Sequence, residues 1–132
     1  MTKAIQQSTK FNATPQALYE MYMDSKQHSA ATGGSARLSR KPGGEFTAWN
    51  GMLRGKNLLL VPNRMIVQAW RSCNFPSSAP DSILILSFTK EGSGTRVDLV
   101  HVNVPPQDYK GVSKGWPTYY WKPWKRHLAK QK

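Results

Sequence analysis

The sequence predicts an α+β domain in which a curved antiparallel sheet wraps a C-terminal helix, and three observations carry that prediction. Turn signals recur through the middle of the chain at the spacing of a meander. An apolar three-to-four repeat follows the first strand, and the last segment carries an aromatic stripe at helical spacing.

Taken in order, Lys3 to Phe11 is expected to form an edge strand. Asn12-Ala13-Thr14-Pro15 then starts a helix: Thr14 can cap it, and Pro15 suits the first position, where a missing N–H costs nothing. Ala17, Leu18, Met21 and Tyr22 give that helix one buried face. Ser25 is the expected cap of a second short helix, which stops at Gly33-Gly34, where glycine permits a left-handed exit.

The turn signals Pro42-Gly43-Gly44, Asn50-Gly51, Pro62-Asn63 and Gly92-Ser93-Gly94 separate five expected strands: Glu45–Trp49, Met52–Leu60, Met65–Arg71, Ser82–Thr89 and Thr95–Val102. Pro76 and Pro80 make Asn74–Asp81 a loop, since proline cannot serve a central strand. For the terminal helix, Gly115 is the expected cap, which places Pro117 in the first turn and Pro123 in the interior, where it should kink the helix. A helical wheel puts Val112, Trp116, Tyr119, Tyr120 and Pro123 on one side and Lys114, Trp121 and Lys125 on the other. Only the concave face of the sheet offers matching apolar area, so the helix should lie there.

Length and composition narrow the class. A chain of 132 residues supports one core, so a single domain spanning 1–132 is expected. No apolar run approaches the roughly 20 residues that cross a bilayer, and the first residues from Met1 carry no apolar signal region. A cytoplasmic, unprocessed protein is the expectation. Cys73 is the sole cysteine, which rules out an internal disulfide and a multi-cysteine zinc site. Lys and Arg number 19 against seven Asp and Glu, a net charge of +12 that favours an anionic partner or serves solubility by self-repulsion.

Several blocks resemble the activator of Hsp-ninety ATPase homologue family. They are His28-Ser29-Ala30-Ala31-Thr32-Gly33-Gly34, Gly43 to Gly51 (GGEFTAWNG), Leu60-Val61-Pro62, Ile66 to Arg71 (IVQAWR), His101 to Pro105 (HVNVP) and Gly115 to Pro123 (GWPTYYWKP). They occur in order over nearly the whole chain. The resemblance implies the helix-grip, START-like fold, often enclosing an apolar cavity, and it corresponds to the C-terminal-type domain of the eukaryotic co-chaperones, which carry an additional N-terminal domain.

Catalytic signatures are scarce. There is no phosphate-binding loop, no nucleophile elbow and no pair of closely spaced histidines among His28, His101 and His127, so no catalytic residue, metal site or cofactor is assigned. Strand alternation instead places Ile66, Gln68 and Trp70 in one row, Leu84, Leu86 and Phe88 in a second, and Val97, Leu99 and His101 in a third. These rows should meet Trp116, Tyr119 and Tyr120 of the helix. A solid core is one outcome. A ligand cavity is the other, because Gln68 and His101 on an apolar face need partners such as a ligand, water or a Tyr hydroxyl. The expected ligand set is Gln68, Trp70, Leu84, Leu86, Phe88, His101, Trp116, Tyr119 and Tyr120, and the expected ligand an apolar small molecule or lipid.

Two surfaces suggest partners. Ile83 and Ile85 fall opposite the core row, as an outer apolar strip that suits a homodimer or partner contact, or a covering loop. No acidic residue follows Asp108, whereas Lys110, Lys114, Lys122, Lys125, Arg126, Lys130 and Lys132 do. Lys114, Trp121 and Lys125 are therefore expected to face outward and dock an acidic partner, a protein such as a chaperone ahead of membrane or nucleic acid. No RNA-binding signature or zinc-finger spacing supports nucleic acid. Three classes stay open: a binding module, a co-chaperone stimulating the Hsp-ninety ATPase, and a cyclase- or hydrolase-like enzyme using His101 with a Tyr hydroxyl.

Overall fold

Hydrophobic alternation through the middle of the chain resolves into a seven-stranded, wholly antiparallel sheet of order β1-β7-β6-β5-β4-β3-β2. The structure is a computed structural model and describes residues 2–131, so Met1 and Lys132 of the basic tail lie outside the described residues. The strands are β1 (Lys3–Phe11), β2 (Arg37–Leu38), β3 (Glu45–Ala48), β4 (Leu53–Val61), β5 (Met65–Ser72), β6 (Ser82–Glu91) and β7 (Gly94–Val104). From β2 to β7 the sheet is a meander. β1 reaches the far edge because α1 (Pro15–Met23) and α2 (Ser25–Thr32) carry the chain back across the fold. β2, only two residues long, is too short to leave a periodic signal in the sequence.

Local chemistry explains the helix ends. The Thr14 hydroxyl accepts from the Ala17 N–H at 3.1 Å, with Pro15 in the first turn. α2 is capped one residue earlier than expected, by Asp24, which accepts from the Gln27 N–H at 3.0 Å. Ser25 instead accepts from the Leu38 N–H at 2.8 Å and so ties α2 to β2. Gly33 closes α2 in the left-handed conformation at φ 89°. The proline-containing loop before β6 is ordered by Arg71, which bonds the Pro76 and Ala79 carbonyls and pairs with Asp81 at 2.7 Å.

The terminal helix departs from expectation in its start and its phase. It begins well before Gly115, with a 3-10 turn at Pro106–Asp108 followed by α3 (Tyr109–Trp116). Pro106 starts it for the reason given for Pro15, and Gly115 lies inside it. Pro117 is therefore an interior proline and cannot donate to the Ser113 carbonyl. Gln7 of β1 replaces that donor: its Nε2 reaches the Ser113 carbonyl at 2.7 Å, while its Oε1 accepts from the Trp121 Nε1–H at 2.8 Å. The disruption is a π-turn over Pro117–Trp121, after which α4 runs Lys122–Lys130, rather than a simple kink at Pro123.

A π-turn advances each residue by less than the roughly 100° of an α-helix, so every later side chain rotates away from its wheel position. Trp121, expected outward, is buried at 5% exposure; Tyr119, expected inward, is 52% exposed; Trp124 becomes fully buried. The concave face agrees with the strand alternation: Ile66, Leu84, Leu86, Val97 and Leu99 are fully buried, with Phe88 and Trp70 nearly so. On the outer face Ile83 and Ile85 are half-buried beside their partners Val102 and Val100.

Candidate functional site

The interface between the C-terminal helix and the sheet has two parts, and the first is closed by hydrogen bonds. The Trp116 Nε1–H donates to His101 Nδ1 at 3.2 Å, so the proton of this imidazole sits on Nε2. Nε2 lies 2.8 Å from the Ser82 hydroxyl, which donates onward to the Trp70 carbonyl at 2.6 Å. Burial pushes His101 down to about 3, leaving a neutral ring with both nitrogens in use. A second chain starts at Tyr22, whose hydroxyl donates to Gln68 Oε1 at 2.8 Å; Gln68 Nε2 donates to Asn57 Oδ1 at 3.0 Å, and Asn57 Nδ2 ends on the Ser39 and Lys41 carbonyls. A third fixes His28. Its Nδ1 faces the Tyr22 carbonyl at 2.8 Å and its Nε2 the Tyr120 hydroxyl at 2.9 Å, which makes Nδ1 the donor and Tyr120 the donor to Nε2. Burial lowers His28 to about 4, and it raises the Tyr22 and Tyr120 hydroxyls.

These chains correct the expected cavity border. Gln68 and His101 are fully buried with protein partners on both sides, and Leu84, Leu86 and Phe88 are packed beneath the helix as solid core. The partners they needed are Tyr22, Asn57, Ser82 and Trp116, drawn from elements distant in sequence.

The open space lies at the other end, where the start of α3 leaves the sheet. A groove of about 350 Å³ runs between the helix and the turn that joins β3 to β4. Its helix wall holds Trp116, Tyr119 and Tyr120, with Gly111 and Gly115 keeping the backbone bare, and Asp108 stands at its end. Its sheet wall holds Trp49 and Trp70. Of the expected ligand set, Trp70, Trp116, Tyr119 and Tyr120 line this groove; Gln68, Leu84, Leu86, Phe88 and His101 do not.

Trp49 and Asp108 are lining residues that sequence reasoning missed. Trp49 is held at φ 50°, in a left-handed conformation unusual for a bulky residue. Its ring packs so closely on Gly34 that a Cβ there would overlap it. On its other side Tyr119 sits edge-on at 5.3 Å between centroids. Asp108 is the last residue of the 3-10 turn that leads into α3, and its side chain makes no capping bond. Four buried side-chain polar atoms lack a partner among the described residues: Trp49 Nε1, Trp70 Nε1, Asp108 Oδ2 and Trp124 Nε1. The first three belong to residues of the groove; Trp124 lies among the rings of Phe11, Tyr22, Tyr120 and Trp121.

The helix's outer surface is cationic. Every fourth residue from Lys110 to Lys130 is exposed, and five of those six are Lys110, Lys114, Lys122, Arg126 and Lys130, with Thr118 between. None of these cations takes part in the ion pairs formed by the described residues. Lys125 is exposed but leans over the Phe11 ring at 5.7 Å. Trp121 is corrected from a partner-facing to an interior residue, stacked at 5.6 Å on Trp116. Among the described residues no cluster of three His, Cys, Asp or Glu could hold a metal ion, and no helix is long and apolar enough to cross a membrane.

The chain is similar to proteins of one family throughout. The sequence pattern of the family described as activator of Hsp90 ATPase homolog 1-like protein matches residues 12–128. The activator of 90 kDa heat shock protein ATPase homolog of Dictyostelium discoideum is 27% identical over 116 residues, which cover 87% of this chain and 30% of that protein. Human activator of 90 kDa heat shock protein ATPase homolog 1 is 27% identical over 110 residues, covering 83% of this chain and 32% of its own length. The chain thus spans about a third of the length of these curated relatives. Among solved structures, an Hsp90 activator from Plasmodium falciparum superposes with a TM-score of 0.87 at 18% identity, over 96% of both chains. The Aha1 dimer from Colwellia psychrerythraea gives 0.77 at 16% identity, over 91% of this chain and 92% of that one. The shared architecture is the α+β helix-grip fold.

Proposed function

This chain belongs to the activator of Hsp90 ATPase homolog 1-like family, and from that premise we propose that it is a binding module whose groove takes a small apolar ligand. The observation that carries the reading is the division of the interface. Where the chain packs for stability, its buried polar side chains are served almost throughout; where it opens, five aromatic rings surround a space of about 350 Å³. That is within the usual size of small-molecule sites and has their usual apolar character. Catalysis by His101 with a Tyr hydroxyl has less support, because both ring nitrogens are engaged within the protein. Gly111 offers the test. It lines the groove, and a Cβ added there meets nothing within 4 Å, so Gly111→Leu should fold and fill the space. Naphthalene should change Trp fluorescence saturably in the parent and not in the variant. Equal titrations would remove the groove as the site.

The second reading is docking of an acidic protein, and the unpaired cations of the terminal helix favour it. Relatives named as activators of the 90 kDa heat shock protein ATPase support a chaperone of that class as the partner. Lys114→Glu with Lys125→Glu should weaken binding to such a chaperone by tenfold or more on the order expected for steering charges, and flatten its salt dependence. Binding curves that match the parent at every salt concentration would leave the cations as a solubility device.

A further inference from the structure

We propose that the second half of β4 is a docking edge for an extended segment of another protein, a short apolar strand with acidic residues at both ends. The inference is independent of the groove. β3 pairs with β4 only as far as Glu45 opposite Lys56, and the last backbone bonds on that side join Gly43 and Gly44 to Asn57. There the neighbouring chain leaves the edge: Gly43 is left-handed at φ 80°, and Pro42 before it has no N–H to offer a strand. Beyond Asn57, β4 pairs with β5 through Leu59, Leu60 and Val61, and Leu58 is the extra residue of a bulge. On its other side this run meets no strand of the described residues. A free edge of this kind is a template for strand addition. Its side chains are apolar as well: Leu58 is 44% exposed and Leu59 49%.

A notch of about 250 Å³ adjoins the edge. Its walls are Leu60 at the end of β4, Tyr19 and Met23 of α1, and Pro42 of the loop before β3, together with the Arg40–Glu20 ion pair. An added strand turns alternate side chains to the two faces of the sheet, so one inward residue falls beside Leu60 and can fill the notch. Charge selects the occupant. Lys56 precedes the free run, Arg64 follows it, and Lys41 stands in the adjoining loop. All three are exposed, and none enters the ion pairs of the described residues. The nearby acids are Glu20, tied to Arg40, and Glu45, opposite Lys56 in register, so the cations outnumber them. A second copy is a poor occupant. Antiparallel pairing of two such edges would bring Lys56 of each copy to the end where the other carries Arg64, in chains of net charge +12. Lysine, proline and a bulge are also the usual guards of an edge against self-association. An acidic-ended strand meets both cations favourably, and an edge that is only guarded needs no bare leucines beside its unpaired backbone.

Three capped, labelled peptides test the proposal on the full chain by fluorescence anisotropy: DEVTVIVED, its basic counterpart KKVTVIVKK, and DEVPVPVED, which keeps the charge and cannot form a strand. DEVTVIVED should bind saturably, about tenfold or more tightly than either of the others, and less tightly as salt rises. Its presence should slow hydrogen exchange at the Leu58–Val61 amides. Lys56→Glu with Arg64→Glu should invert the preference between the acidic and the basic strand, and Leu58→Ser with Leu59→Ser should weaken DEVTVIVED by about tenfold. Lys114→Glu with Lys125→Glu should leave it within about threefold, which separates this edge from the cations of the terminal helix. Near-ultraviolet circular dichroism matched to the parent confirms that each variant is folded. Lys56→Gln with Arg64→Gln, which should abolish the preference, replaces the charge reversal should that fail to fold. Equal binding of DEVTVIVED and DEVPVPVED would reduce the interaction to charge attraction without strand addition and overturn the proposal. Absence of binding would leave a guarded edge and overturn it too. Self-association of the parent that Leu58→Ser with Leu59→Ser abolishes would assign the edge to a second copy instead.

Discussion

At one end of the helix–sheet interface, Trp116, His101, Ser82 and the Trp70 carbonyl form an unbroken chain of donors and acceptors. At the other, Trp49, Trp70 and Asp108 surround open space with an indole N–H or a carboxylate oxygen unserved on each. Both ends are lined by aromatic rings from the same helix, and Trp70 belongs to both: its carbonyl closes the first and its indole is left over in the second. The contrast teaches that aromatic content does not separate core from site in this fold. Satisfaction of the polar atoms separates them better, with the unserved Trp124 indole as the exception inside the core.

The comparison breaks most directly on side-chain truncation. Trp124 is fully buried among Phe11, Tyr22, Tyr120 and Trp121, and Trp124→Ala should lower unfolding stability by about 3–5 kcal/mol. Tyr119, three-quarters of a turn beyond Trp116 but half exposed in the groove wall, should lose less than about 1 kcal/mol on change to Ala. Urea unfolding of the two variants reads the difference, and equal losses would show that the groove end is structural too.

The polar chains of the core predict an acid branch. His28 is lowered to about 4 and His101 to about 3, both by burial, against about 6.5 in an unfolded chain. The unfolded state therefore binds more protons below pH 6.5, so stability is fully present above that pH and falls as pH drops toward the folded values. Each unit of separation corresponds to about 1.4 kcal/mol, which places the combined loss on the order of several kcal/mol. Urea midpoints at pH 7.5, 5.5 and 4.5 should fall steadily. His28→Gln should reduce the slope, and an unchanged slope would mean that these imidazoles are not held neutral by the fold.

The sheet was legible in the sequence because alternation and turn chemistry are local signals. Rows such as Gln68-Trp70 and Leu84-Leu86-Phe88 came out on the concave face as expected, and Thr14, Pro15 and Gly33 did what their chemistry requires. The terminal helix was half legible. Pro123 announced a disruption, but Pro117, read as a first-turn residue, proved to be the interior proline that carries it, and Gln7, more than 100 residues away, reaches the carbonyl that Pro117 cannot serve. That phase shift is what misplaced Trp121 and Tyr119. The groove was the least legible part. Gln68 and His101 looked unsatisfied because their partners come from other elements, whereas Trp49 looked like part of a turn and Asp108 merely the last acid in the chain. Which polar atom goes unserved is a tertiary property, and no spacing in the sequence encodes it.

The smallest expected effect compares two aspartates at helix starts. Asp24 caps α2 with an extended backbone, whereas Asp108 has a helical backbone at the end of the 3-10 turn that leads into α3. The Asp24 Oδ2 accepts from the Gln27 N–H at 3.0 Å, and Asp24→Ala should cost about 1 kcal/mol, the usual price of a lost cap. Asp108 makes no such bond, and its Oδ2 is buried without a partner. Two terms then oppose each other in Asp108→Asn. The positive end of the helix dipole favours the carboxylate by about 0.3–1 kcal/mol, and the change forfeits that. Removing the charge lessens the desolvation cost of the buried Oδ2, although the amide that replaces it stays polar. The two terms nearly cancel, so Asp108→Asn should change stability by less than about 1 kcal/mol, while Asp24→Ala lowers it. Urea unfolding of both variants near neutral pH decides the matter. A loss at Asp108 equal to that at Asp24 would make it an ordinary helix-end residue. The opposite result would leave Asp108 as a residue that the fold tolerates at a cost, which is the behaviour expected of a group kept for binding rather than for stability.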